Sequence, residues 1–134
     1  MTYNATNAPA GSVRQGEAID ETLRLIASDK VEGTNVYNLE GEHVGSVHNF
    51  MVDKVTGKVS YAVMSFGGFL GIGERYHPLP WDTLKYDTGY GGYVVNVSRE
   101  QLEGGPHYAR DDEPWTDPQY GRRIHGHYGL PYGV

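Results

Sequence analysis

The chain contains no cysteine, which excludes disulfide scaffolds, thiolate metal sites, iron–sulfur clusters and cysteine nucleophiles. Positive charge is scarce. Lys and Arg total 11 against 17 Asp and Glu, a formal net charge of −6. Nucleic acid is therefore not an expected partner, because phosphate recognition leaves a basic footprint. No apolar run approaches the roughly 20 residues that cross a bilayer, so membrane insertion is not expected. Residues 1–22 also lack the basic start and apolar stretch of a secretory signal, and the expected location is the cytoplasm. What the chain does have is glycine (19 of 134 residues) and tyrosine (11).

The length fits one domain, and composition divides it further. Gly and Pro together make up 32% of residues 104–134 but 17% of residues 29–103. The first value exceeds the roughly 25–30% that marks low-complexity sequence. The end of the chain is poor in aliphatics as well: Ile124, Leu130 and Val134 are its branched apolar residues. Such a segment cannot offset its ordering entropy alone. The expected organisation is a flexible arm over 1–22, a folded unit over 23–106 and a flexible Gly/Pro/Tyr/His-rich tail over 107–134. The unit is expected to fold without arm or tail.

Within 23–106 the apolar pattern alternates with period two. It predicts a first strand over Leu23–Ser28, then a short one over Thr34–Asn38 and a turn through Gly41. A long strand follows over His43–Asp53. The turn Lys54-Val-Thr-Gly57 joins it to a strand over Lys58–Phe66, whose apolar residues on both faces imply cover on both sides. Strands over Arg75–Leu79, Leu84–Asp87 and Tyr93–Val97 complete the set. Val44 and Val47 are three apart and cannot share a face of a regular strand, so a bulge is expected at Gly45-Ser46, with Gly45 at positive φ. Ser98 and Gln101 read as the N-cap and N3 of a capping box, opening a helix of one or two turns. The fold class expected from this pattern is all-β: a small barrel of about six strands with a helical turn after the last.

The segment Val36-Tyr-Asn-Leu-Glu-Gly-Glu-His-Val-Gly-Ser-Val-His-Asn-Phe-Met-Val-Asp53 resembles the opening of the PRC-barrel domain. The stretch from Gly57 to Gly73 and the hexamer Tyr76-His-Pro-Leu-Pro-Trp81 look like the stand-alone bacterial branch of that family. The resemblance covers about residues 23–105 and implies a six-stranded barrel. It makes Gly41, Gly45, Asp53 and Gly57 candidate structural residues. The family includes the cytoplasmic domain of the photosynthetic reaction-centre H subunit and the C-terminal domain of a ribosome-maturation factor, both of which dock onto other macromolecules. This chain lacks the membrane helix of the first and the RNA-associated domain of the second, so neither role is carried over. No catalytic residue comes with the resemblance, since the shared motif is structural.

The residues themselves offer few chemical sites. Gly68-x-x-Gly71-x-Gly73 has the dinucleotide fingerprint reversed, with no Gly-Lys-Ser/Thr and no helix after it. Ser46, Ser60 and Ser65 lie in no nucleophile elbow. Glu40 and Glu42 fall at a turn, where solvation is the expected state, and His77 is expected to be buried. No catalytic residue, metal ligand or cofactor is assigned. His107, His125 and His127, with Asp111, Asp112 and Glu113, carry the alternative reading, a metal-binding or enzymatic protein. A solvated tail is the preferred reading of those residues.

The expected function is non-enzymatic: a protein–protein docking or assembly module, its protein partner unspecified, forming a homo-oligomer such as a dimer. Its candidate interface is Phe69, Leu70, Ile72, Tyr76 and Trp81, because apolar residues on a glycine-rich loop mark association surfaces. Tyr108, Tyr120, Tyr128 and Tyr132 are interface-type side chains; the alternatives are that the tail tyrosines are simply solvated, or that Tyr108 and Trp115 pack back on the barrel.

Overall fold

A computed structural model describes residues 24–66 and 75–132. Six strands form one curled sheet: β1 Asn35–Tyr37, β2 His43–Val52, β3 Val59–Phe66, β4 Arg75–Pro80, β5 Leu84–Asp87 and β6 Gly92–Val95. Their order is β4-β3-β2-β1-β6-β5. Neighbours pair antiparallel except β1 with β6, which run parallel with Val36 opposite Tyr93. That parallel pair joins the β2-β3-β4 meander to the β5-β6 hairpin. Three helices accompany the sheet: α1 Ser28–Val31, α2 Arg99–Glu103 and α3 Tyr120–His127.

The hairpin turns follow from side-chain chemistry. Asp53 Oδ1 accepts the backbone N–H groups of Val55 (2.9 Å) and Thr56 (3.0 Å), and Gly57 closes the turn at φ +79°. A short carboxylate that satisfies nearby amides and a glycine that adopts the left-handed region are what such a turn requires. Those amides hold the Asp53 carboxyl below its ordinary pKa. The β5–β6 turn repeats the device: Asp87 Oδ1 accepts from Gly89 and Tyr90. Asn38 Oδ1 does the same for Glu40 and Glu42 beside Gly41, which is at φ +82°.

The expected first strand is not formed. Residues 24–27 carry no regular structure and Ser28–Val31 is helical, while Leu23 and the arm lie outside the described residues. Leu25 and Ile26 are 91% and 57% exposed. Alternation yields a strand only where one set of side chains has a face to bury, and here neither set does.

The bulge exists but is displaced. Val36 faces Gly45 and Tyr37 faces His43, which leaves Val44 as the extra residue against β1. Against β3, Val47 faces Met64 and Asn49 faces Val63, so His48 is extra there. The insertion at Val44 is what lets Val44 and Val47 both be buried (2% and 1% exposed). Gly45 is buried and is not among the described glycines with positive φ, so left-handed geometry is not its role.

The larger correction concerns the tail. Residues 107–132 dock on the sheet through a minority of side chains, with Tyr108 and Trp115 half-buried and Tyr120, Ile124 and Tyr128 buried, while most of their other residues are exposed. Tyr108 and Tyr76 exchange two backbone hydrogen bonds (2.9 and 3.0 Å), placing a one-residue bridge on the outer edge of β4. Tyr120, Ile124 and Tyr128, at 4%, 0% and 8% exposure, join a core cluster with Val36, Met64 and Leu79. Spaced four apart, they form one helical face. A segment that could not order alone is ordered by a hydrophobic surface the barrel already presents. β3 is covered on both sides as expected: Ala62 and Met64 belong to the central cluster, and Tyr61 meets Trp115 and His125.

Candidate docking site

The seam between β4 and the tail is built from aromatic and imidazole rings. His48, projected by its bulge, stacks on Tyr76 with centroids 4.2 Å apart and planes 19° apart. Bulges re-aim side chains in this way. Tyr76 meets Tyr108 at 5.6 Å, and the Trp115 indole N–H donates to the Tyr108 hydroxyl at 3.3 Å. Pro114 opens the short 3-10 turn that carries Trp115. Between these walls lies a recess of about 370 Å³, rimmed by Arg110, Asp112 and Glu113. The Asn49 Oδ1 atom is buried and accepts no hydrogen bond.

The tail histidines serve as anchors. His125 joins its Nε2 to the Tyr61 hydroxyl (3.1 Å) and its Nδ1 to the Pro131 carbonyl (2.9 Å). His127 Nε2 bonds the Gln101 carbonyl at 2.8 Å, and His107 Nδ1 the Gly105 carbonyl at 3.1 Å. These three residues therefore do not gather into one shell, and among the described residues no group of three or more His, Asp or Glu side chains could hold a metal ion. Asp117 accepts from the Gln119 amide and pairs with Arg123 at 3.2 Å, which holds its carboxyl below the usual range.

His77 is 3% exposed, with its ring 5.2 Å from that of His107. Burial first, and the second imidazole next, push its pKa down to about 4. Burial likewise raises Tyr120 to about 12 and pushes Tyr128 up, so both phenols stay protonated.

The expected interface residues are distributed unevenly. Phe69, Leu70 and Ile72 lie outside the described residues. Tyr76 is 5% exposed because the tail covers it, and Trp81 is half-buried between Phe50 and Tyr93. Of the candidate structural residues, Gly41, Asp53 and Gly57 sit in turns as described, and Gly45 inside β2. Sequence reading missed His48 and Asn49 as neighbours of this seam, whereas the packing of Tyr108 and Trp115 back on the barrel was one of its alternatives and is what the structure has. The i, i+4, i+8 spacing of Tyr120, Ile124 and Tyr128 was the available signal, since docking that helix brings Trp115 over the sheet.

A six-stranded curled sheet with a helical turn after its last strand defines a small barrel-type module. The family model for the PRC-barrel domain matches residues 24–102. The chain belongs to the PRC-barrel family. A comparison with curated proteins found no match. Among the described residues, no helix is long and apolar enough to cross a membrane.

Proposed function

We propose that this PRC-barrel chain is a non-enzymatic docking module that assembles with a protein partner in the cytoplasm and self-associates. The observation that carries the reading is the recess at the tail–β4 seam. Its rings offer rigid contact area at low entropic cost, and its charged rim supplies orientation, the composition found at protein interfaces. The barrel acts as the rigid element that holds this surface. A photo-cross-linking residue at exposed Arg110 should capture a specific partner in the native host. The same residue at Tyr86, 46% exposed on β5 and not among the residues lining the recess, should not. Equal capture from both positions, or none from position 110, sinks the docking reading. Light scattering of the purified chain tests self-association, for which a monomeric mass is the contrary result.

A further inference from the structure

Charge is unevenly divided along the tail. Residues 118–134 hold Arg122, Arg123, His125 and His127 and no Asp or Glu. Residues 109–117 hold Arg110 against Asp111, Asp112, Glu113 and Asp117. Arg123 matches Asp117 at 3.2 Å, and Asp112 Oδ2 accepts the Ala109 amide, which shapes the loop. Asp111, Asp112 and Glu113 are all exposed, and among the described residues none of the three makes an ion pair. The acidic loop and the basic helix adjoin. The loop runs between Tyr108 and Trp115, whose rings stand 6.4 and 5.1 Å from that of Tyr120 at the start of α3.

The helix carries a second, independent signal. Gly126 is exposed and lies two residues beyond the buried Ile124, about 200° round the helix from it. A Cβ added at Gly126 would meet no atom within 4 Å, and the left-handed turn after α3 is made by Gly129 at φ +70°. Neither packing nor capping within the chain therefore requires glycine at 126, where alanine would favour the helix. Bare backbone on an outer face lets another chain approach closely. Gly126 lines an open recess of about 570 Å³ with Gly104 and Gly105, and His107, Arg123 and His127 give it side chains. Arg122, one helical turn before Gly126 on the same outer face, is held over the Tyr132 ring at 4.8 Å.

The complement to this basic, glycine-backed face is on the chain itself. Resting on the self-association proposed above, we propose that α3 docks on the Asp111–Glu113 loop of a second copy, which returns its own α3 to the first copy's loop about a two-fold axis. An isologous contact of this kind needs both patches side by side on one face, which is how the tail presents them. The pairing answers both observations at once: the loop's carboxylates meet Arg122 and Arg123, and its backbone closes on Gly126.

The test follows the mass of the full chain by light scattering across protein and salt concentration. A dimer that weakens as salt rises is expected, since the paired charges lie at the surface. Arg122→Glu with Arg123→Glu, and separately Asp111→Lys with Glu113→Lys, should each weaken dimerisation by at least about ten-fold through like-charge contact. An equimolar mixture of the two double variants should restore the dimer, because each altered helix then meets an altered loop of opposite sign. Gly126→Gln reverses no charge and stands in if a double variant fails to fold. It should raise the melting temperature of the dilute chain and weaken dimerisation, a pairing that a merely structural glycine would not give. A dimer indifferent to all three variants, or a mixture that stays monomeric, overturns the proposal and leaves self-association to another surface. A chain monomeric at every concentration removes self-association as well. A second copy captured from position 110 would report on this contact, whereas the docking reading needs a foreign protein there.

Discussion

From β1 to β6 the chain is held by backbone ladders, each strand fixed by its neighbours' amides and carbonyls. From Tyr108 to Tyr132 it is held chiefly by side chains: a helix face in the core, histidine anchors on barrel oxygens, and one backbone bridge at Tyr76. A ladder forms wherever two extended segments align, and it tolerates many sequences. Side-chain docking needs particular residues at particular spacings. The barrel is therefore a scaffold, and the tail is where a small change in residues would most alter the surface beside β4.

Removing the tail tests this contrast most strongly. Ending the chain at Pro106 strips Tyr120, Ile124 and Tyr128 from the core, each worth roughly 1.5–3 kcal/mol of burial. That sum rivals a typical total stability of about 5–15 kcal/mol, so the shortened chain should melt far lower or lose its sigmoidal transition. The single change Ile124→Ala should cost about 2–5 kcal/mol in urea unfolding. A shortened chain as stable as the full one would show that the tail only rests on a complete barrel.

Acid should loosen the seam next. His77 is held neutral with a pKa near 4 in the fold, against about 6.5 unfolded. The unfolded chain thus binds more protons between those values. This stability is present above pH 6.5 and lost as pH falls towards 4, up to about 3 kcal/mol. His77→Phe should flatten that part of the pH profile. An NMR titration placing His77 near 6.5 in the intact chain would refute the assignment. In the chain ending at Pro106, where His107 is gone and β4 is uncovered, the value should move back up.

A smaller effect is expected at Gly121, where a Cβ would stand 2.8 Å from both the Tyr61 hydroxyl and the Tyr132 ring. Gly121→Ala should cost about 1–3 kcal/mol, the range for overpacking, despite alanine's better helix propensity. A stabilised variant would mean that α3 can lift from β3 without penalty. The smallest is Tyr61→Phe, which deletes the 3.1 Å bond to His125 and should cost about 0.5–1.5 kcal/mol, read as a modest shift of the thermal midpoint.

The barrel was largely legible because its signals are local. The Asp53–Gly57 turn, the run of β2 and the Ser98 cap, whose Oγ accepts the Gln101 amide at 3.0 Å, all depend on residues within a few positions. The family motif covers the same ground. The bulge was misplaced by one or two residues because periodicity shows that a phase must shift, not which residue is extra. The spurious strand at Leu23–Ser28 alternates correctly, but nothing in that pattern reveals whether a sheet edge is near. The tail was misread because glycine and proline content dominated a stripe of two tyrosines and one isoleucine. The recess joins β2, β4 and the tail, a juxtaposition that no spacing within one segment encodes.

The parallel pairing of β1 with β6 has a consequence for how the molecule is made. Val36 must wait for Tyr93, 57 positions later in synthesis, before its second edge is satisfied. The β2-β3-β4 meander pairs strands that are consecutive along the chain, so it can assemble while the rest is still emerging from the ribosome. During that interval the outer edge of β4 is open, a template for pairing with any other nascent chain. Tyr108 closes that edge only once a further 28 residues have followed the end of β4 at Pro80. The order of residues along the chain thus makes the seam between β4 and residues 107–132 form after the meander, and a pause in synthesis before Tyr108 would prolong the exposure of that edge to aggregation.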